Sequence, residues 1–184
     1  MIKNIPEKYG YYITGFSDGE GSFNISFRKR NDYLIGWKIT PVFNISQDER
    51  EILAWIKHIL KCGTIRFRKD GIWTFEVHNQ NALNKIILPF FDRFHFLSKK
   101  KKLQYQKFKK ICKLLNHNTS ITYETICQIL ILRNESNIKN SKKRKYTDTL
   151  ILQRAEFYWN KNHKIIQSKN NKKSSETNTP KLFL

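Results

Sequence analysis

The chain has 184 residues and carries 35 Lys and Arg against 15 Asp and Glu, a formal net charge of +20. Thirteen Phe and four Trp supply enough apolar mass for a packed core, which excludes a long disordered polyelectrolyte. A surplus of that size repels itself in a compact chain and favours polyanions, a phosphate backbone first and an anionic membrane surface second. Three cysteines without CxxC spacing and five scattered histidines argue against a zinc module or a disulfide scaffold. No apolar run approaches the ~18 residues that cross a bilayer. The first residues lack a signal peptide's apolar stretch, so no membrane partner is expected.

Pro6 and Glu7 open a segment with small and apolar residues at helical spacing, which predicts a helix over about 7–17. From Ser22 the period becomes two, as Phe23, Ile25 and Phe27 alternate with polar residues, the mark of a half-buried strand. GWKITPVFNIS repeats the pattern, with Ile39, Phe43 and Ile45 on one side and Pro41 suggesting an edge or a bulge. Ser46 and Glu49 have capping-box spacing before a helix carrying Ile52, Leu53, Ile56 and Leu60. TIRFRKDGIWTFEVHN reads as a hairpin turning at Lys69-Asp70-Gly71, with Ile65, Phe67, Trp73, Phe75 and Val77 facing inward. A third helix interrupted by Pro89 follows, then a Lys-rich fourth with Leu103, Phe108, Ile111 and Leu115 on its dry side. The result is an α+β arrangement, a four-stranded antiparallel sheet backed by helices. ITYETICQILILRN and YTDTLILQRAEFYWNK add two helices, giving one domain over 1–160, and 161–184 reads as a basic, disordered tail.

The polar sides of the strands are coherent. Ser22, Asn24, Ser26, Arg28 and Arg30, then Lys38, Thr40, Asn44 and Ser46, then Arg66, Arg68, Thr74, Glu76 and His78 line one face that is almost free of acid. A twisted antiparallel ribbon of this kind fits the major groove, where Arg pairs with guanine and Asn with adenine. Residues 13–23, ITGFSDGEGSF, put Gly15, Gly19 and Gly21 around Asp18 and Glu20 at a helix's C-terminal end. Interior glycine costs about 1 kcal/mol against Ala, and carboxylates oppose the negative end of the helix dipole. Close helix-to-helix approach accounts for the glycines, and a bound divalent cation accounts for a carboxylate where carbonyls already point. A glycine-rich helix end with exposed acids is the plain structural alternative.

ITGFSDGEGSF resembles the signature of the LAGLIDADG homing endonucleases: a helix of small and apolar residues, acid-Gly-acid-Gly, then the first strand of a DNA-binding saddle. The order of elements, SQDE at the second helix and the Lys-rich LSKKKKLQYQKF extend the likeness over roughly residues 7–150. The family builds its site from two such helices, and this chain has one signature, so the resemblance implies a homodimer. Tyr12, Gly15, Phe16 and Gly19 would lie at its interface, and a nearly palindromic DNA target would follow. It further implies Glu20 as the divalent-metal ligand, with the Gly19 carbonyl beside it and Mg²⁺ as the metal; the family more often has Asp at this position. Asp18 then takes a supporting role. Gln47 matches the polar position that holds water near the scissile phosphate. Lys99 matches the site lysine counted back from Tyr105, with Lys100 and Lys101 as neighbouring registers. Arg50 is a weaker candidate for a second cation, since Glu51 could occupy that position instead. Lys139, Lys142 and Lys143 fall in a basic loop that would lie against flanking phosphates.

The expected activity is therefore site-specific, Mg²⁺-dependent hydrolysis of both strands of a long DNA target, with the gene carried in an intron. An RNA splicing maturase on the same scaffold, with RNA as partner, and a non-catalytic DNA-binding regulator are the alternatives. Abundant Asn, Lys and Ile with scarce Ala and Gly suggest an AT-rich coding sequence, as in a mitochondrion or chloroplast, with a bacterial cytoplasm as the other setting.

Overall fold

The computed structural model describes residues 2–117, 121–134 and 145–176, except for the side chains of 117 and 163–176. A 3₁₀ turn, Ile2–Asn4, leads into α1, Glu7–Glu20, and then directly into β1, Gly21–Lys29. There follow β2 (Trp37–Gln47), α2 (Arg50–Leu60), β3 (Thr64–Phe67) and β4 (Trp73–Val77). A helical stretch then runs as α3 (Gln80–Ala82), a π-turn (Leu83–Ile87) and α4 (Leu88–Arg93), continuing through Pro89, which stands in the first turn of α4. The last helices are α5 (Lys99–His117), α6 (Tyr123–Asn134) and α7 (Asp148–Glu176). α7 thus runs past residue 160, beyond the predicted start of the tail.

The sheet is antiparallel throughout, in the order β1-β2-β4-β3. Pro41 lies in β2, an inner strand by order, yet β4 pairs with β2 only from Phe43 to Gln47. At Pro41 the strand has β1 alone as partner, through Ile25, so the proline lies outside the β2–β4 pairing, where it would break a ladder on both sides. Ser46 remains in β2, opposite Thr74, and α2 starts only at Arg50 after Glu49, which provides no side-chain cap. The expected capping box does not form, because the strand pairing holds Ser46 in the sheet.

The helices pack on the apolar face through two clusters of described residues. One core cluster joins α1, β2, β4, α2 and α4 to the first half of α5, around Phe43, Phe75, Phe90, Phe91 and Phe94. A second joins Phe27, Ile35, Trp37 and Ile39 to the end of α5 and to α6 and α7, with the Trp37 indole donating to the Ile151 carbonyl at 3.1 Å. On α5, Tyr105, Phe108, Ile111, Cys112 and Leu115 are buried, whereas Leu103 is 47% exposed, on the opposite side of the helix from its predicted place. Phe67 meets the Trp73 ring at a tilt but is 59% exposed, because β3 is a short edge strand. Among the described residues no helix is long and apolar enough to cross a membrane.

Candidate active site and nucleic-acid face

α1 has two unlike sides. Gly10, Ile13, Thr14 and Ser17 are buried. A methyl at Gly10 would sit 2.3 Å from the Phe94 ring, and the Thr14 hydroxyl donates to the Phe94 carbonyl at 3.2 Å. The other side carries Tyr12, 51% exposed, with Gly15 and Gly19, where a methyl would meet nothing within 4 Å. Tyr12 stacks on Phe16, meets Trp55 edge-on and lines an apolar groove together with Lys8, Tyr9, Ile52 and Trp55.

The helix stops where Gly21 donates its N–H to the Ser17 carbonyl and turns into β1. A Cβ at Gly21 would lie 2.5 Å from that same oxygen, so the turn needs glycine for space rather than for an unusual dihedral angle. Glu20 is left exposed at the sheet's end. Gly21 pairs with Ile45, so Gln47, two residues further along β2, closes that same end, its side-chain oxygen accepting the Asp48 N–H at 2.9 Å. The sheet alternation puts Gln47 with Phe43 and Ile45, not in the polar row.

Asp18 is committed elsewhere. It accepts the Ser98 N–H at 3.1 Å and the Ser98 hydroxyl, while the same hydroxyl accepts the Lys101 N–H and so caps α5. The end of α1 and the start of α5 are thereby tied together. Between them lies a polar hollow of about 270 Å³, bordered by Gly19, Ser22, Asn24, Lys100, Lys101 and Gln104 among others. Lys101 is buried, and its ammonium donates to the Gly21 carbonyl at 2.6 Å. Burial pulls its pKa below the ordinary lysine value, with Asp18 opposing, Lys100 adding to the fall and Glu20 opposing. Lys100 is exposed and borders the hollow; Lys99 is exposed and does not. The reason is helical: Lys100 stands four residues before Gln104, on the side of α5 that borders the hollow, and Lys101 four before the buried Tyr105, whereas Lys99 is turned by about a further 100° beyond Lys100, away from both. The Ser98 cap escaped the sequence reading because no Glu or Gln follows it at capping-box spacing.

One chain offers a cation little by itself. Among the described residues no group of three His, Cys, Asp or Glu side chains converges. Glu20 fits such an ion as an exposed acid at a helix end where backbone carbonyls gather.

The polar face follows the strand register. Ser22 stands opposite Asn44, Ser26 opposite Thr40 and Arg28 opposite Lys38; Ser46, Thr74 and Arg66 form another row. Thr74 is 2% exposed, with Ser46 and Thr74 hydroxyls 3.1 Å apart, so it supports the face without being offered to solvent. His78 is exposed just past β4. The face is also less bare of acid than its strand sequences suggest. Arg30 pairs with Asp32, Arg68 with Asp70 and Arg66 with Glu76 at 3.3 Å. Two of these acids lie in turns, outside the alternating segments. Lys139, Lys142 and Lys143 lie outside the described residues.

The LAGLIDADG endonuclease family matches residues 13–112. A probable intron-encoded endonuclease of Neurospora crassa is 31% identical over 143 residues, 71% of this chain, which spans only 30% of that protein. The homing endonuclease I-ApeII of Aeropyrum pernix is 27% identical over 76% of this chain and 86% of its own length. Among solved structures, the archaeal intron-encoded homing endonuclease I-Vdi141I, in complex with DNA, superposes with a TM-score of 0.72 at 29% identity, covering 83% of this chain and 97% of that one. I-SmaMI bound to an uncleaved DNA target with calcium gives 0.66 at 27% identity, over 70% of this chain and 45% of the other.

Proposed function

The chain belongs to the LAGLIDADG endonuclease family, and on that premise we propose that it is a site-specific DNA endonuclease, working as a homodimer on a long, nearly palindromic target and carried in an intron. One observation weighs most: a single signature helix has its glycine side open, and its exposed Glu20 lies at the end of a polar sheet. Two copies joined along Tyr12, Gly15, Phe16 and Gly19 would bring two such carboxylates together beneath one continuous saddle.

Glu20 from each copy, with the Gly19 carbonyl, would hold a divalent cation, Mg²⁺ being our assignment. Such an ion activates water and stabilises the leaving oxygen of a phosphodiester. Gln47 closes the same end of the sheet and orients water. Lys100, exposed at the hollow, takes the role the sequence pattern gave to Lys99 and offsets charge on the phosphate. Lys101 acts indirectly: bonded to the Gly21 carbonyl, it fixes the turn that carries Glu20. Ser22, Asn24, Ser26, Arg28, Lys38, Thr40 and Asn44 face the bases and their flanking phosphates. An organelle genome, mitochondrial or chloroplast, is the setting we favour, supported by the Asn, Lys and Ile bias.

The test uses duplex DNA selected from a random library, with Mg²⁺ or EDTA. Glu20→Gln should keep binding and lose cleavage. Unchanged cleavage by that variant overturns the site, and binding without cleavage by the unaltered chain favours a regulator. Preference for intron RNA over any duplex favours a maturase.

A further inference from the structure

We infer that the tip of the β1–β2 hairpin is a preformed guanine reader, in which Arg30 is aimed by Asp32 and steadied by Tyr33. The inference rests on the proposed DNA-reading role of this face and adds the base, the residue and the device.

Arg30 donates from Nε to one Asp32 oxygen at 2.8 Å and from Nη2 to the other at 2.6 Å. Its guanidinium carbon lies 5.3 Å from the centre of the Tyr33 ring. A guanidinium has five N–H groups in one plane. With the Nε edge given to Asp32, the end formed by Nη1 and the outer hydrogen of Nη2 remains as a two-pronged fork directed away from the carboxylate. Guanine presents O6 and N7 as paired acceptors in the major groove, the match for such a fork.

The carboxylate also argues against the simpler use of an arginine, as a phosphate clamp. The Arg30–Asp32 pair is neutral overall, so it releases few counterions, and Asp32 repels a phosphate brought to the same edge. Arg68 differs, meeting Asp70 through Nη2 alone, which leaves its plane free to turn.

The tip is held from both sides. Within the loop Arg30 N–H donates to the Gly36 carbonyl at 3.0 Å and Gly36 N–H to the Tyr33 carbonyl at 2.8 Å. From behind, α7 grips it. Arg154 donates to the Gly36 carbonyl and the Asn31 side chain, the Tyr158 hydroxyl donates to the same Asn31 oxygen, and Asn162 donates to the Leu34 carbonyl. Gly36 has φ of +70° and no room for a Cβ, which would lie 2.6 Å from the Tyr158 ring. A fork fixed in this way loses little freedom on binding.

The experiment is enrichment of bound duplexes from a randomised oligonucleotide library by the full chain in EDTA, for the unaltered protein, Arg30→Ala and Asp32→Asn. We expect guanine to be enriched at one position per half-site by the unaltered chain. Both variants should lose that preference, by roughly ten- to a hundredfold, and keep the others. Asp32→Asn should also steepen the dependence of log affinity on log salt by about one charge, as Arg30 is freed for phosphate. If the unaltered chain enriches a sequence and neither variant changes any position, or the lost base is not guanine, the reader is overturned while the proposed function stands. If the unaltered chain enriches no sequence, both fall.

Discussion

Gly15→Ala separates the two sides of α1. In the folded chain a methyl at residue 15 meets nothing within 4 Å, so the substitution removes only glycine's helical penalty. That is a gain of about 1 kcal/mol, or roughly 2–4 °C in Tm for a chain of this size. The gain is common to free protomer and dimer and cancels from the dissociation constant. What remains is the crowding of the two methyls that the proposed twofold axis would bring face to face. Overpacking costs about 1–3 kcal/mol per site, about 2–6 kcal/mol for the pair, which weakens dimerisation by roughly 30-fold to 10⁴-fold. Gly10→Ala is the control: its methyl would strike Phe94, 1% exposed and wedged between Phe90 and Tyr11, so Tm should fall and dimerisation should hold. Thermal unfolding at low concentration reads the first quantity and sedimentation equilibrium the second. A Gly15→Ala chain with a raised Tm and an unaltered dissociation constant would remove this side of α1 from the interface.

Lys100→Ala should lower the cleavage rate by about a hundredfold with DNA affinity little changed, whereas Lys99→Ala should leave the rate within about twofold of the parent; single-turnover kinetics distinguish the two registers. Ser17 is fully buried, and its hydroxyl has no hydrogen-bond partner among the described residues. Ser17→Ala should therefore stabilise the chain by about 1–3 kcal/mol, measured by urea unfolding, and a loss would mean that the hydroxyl is bonded after all. Burial raises the Asp92 pKa, but bonds from Lys109 and the Tyr105 hydroxyl outweigh it and hold the carboxyl below its usual range. A lowered folded pKa gives stability that is present above the unfolded value, about 3.9, and lost as pH falls through the folded one. Asp92→Asn should accordingly flatten the acid limb of a Tm–pH profile below about pH 4.

Much of this architecture was legible because period and position agree. The onset of alternation at Ser22 marked the start of β1 to within a residue of Gly21, although α1 runs on to Glu20, three residues past its expected end, and Lys69-Asp70-Gly71 marked a hairpin that does turn with Gly71 at positive φ. Failures came where a long-range partner outranked a local signal. Ser46 has the chemistry of a helix cap, but pairing with Thr74 keeps it in a strand. Four consecutive lysines carry no register of their own; only the Ser98 cap and the buried Tyr105 fix which of them turns inward. The acids that neutralise the sheet's arginines were hidden for another reason. Asp32 and Asp70 sit in turns, where alternation says nothing about which side a side chain takes.

The same dependence on distant partners explains why so much function is compressed into residues 12–22. The open side of α1 supplies the proposed contact between copies, its last residue the proposed metal-holding acid, and Ser22 two residues later already belongs to the polar face. No flexible linker separates these roles, since Gly21 closes α1 onto the Ser17 carbonyl and begins pairing with Ile45 in the same step. Two ties to α5 hold that junction, Asp18 on Ser98 and Lys101 on the Gly21 carbonyl. The position of Glu20 relative to the sheet is thus set within one protomer, and in the proposed dimer only its distance from the second acid would depend on how closely the glycine sides meet. A substitution that spreads the helices should separate the two carboxylates without altering either half of the saddle, so cleavage should be lost before base preference.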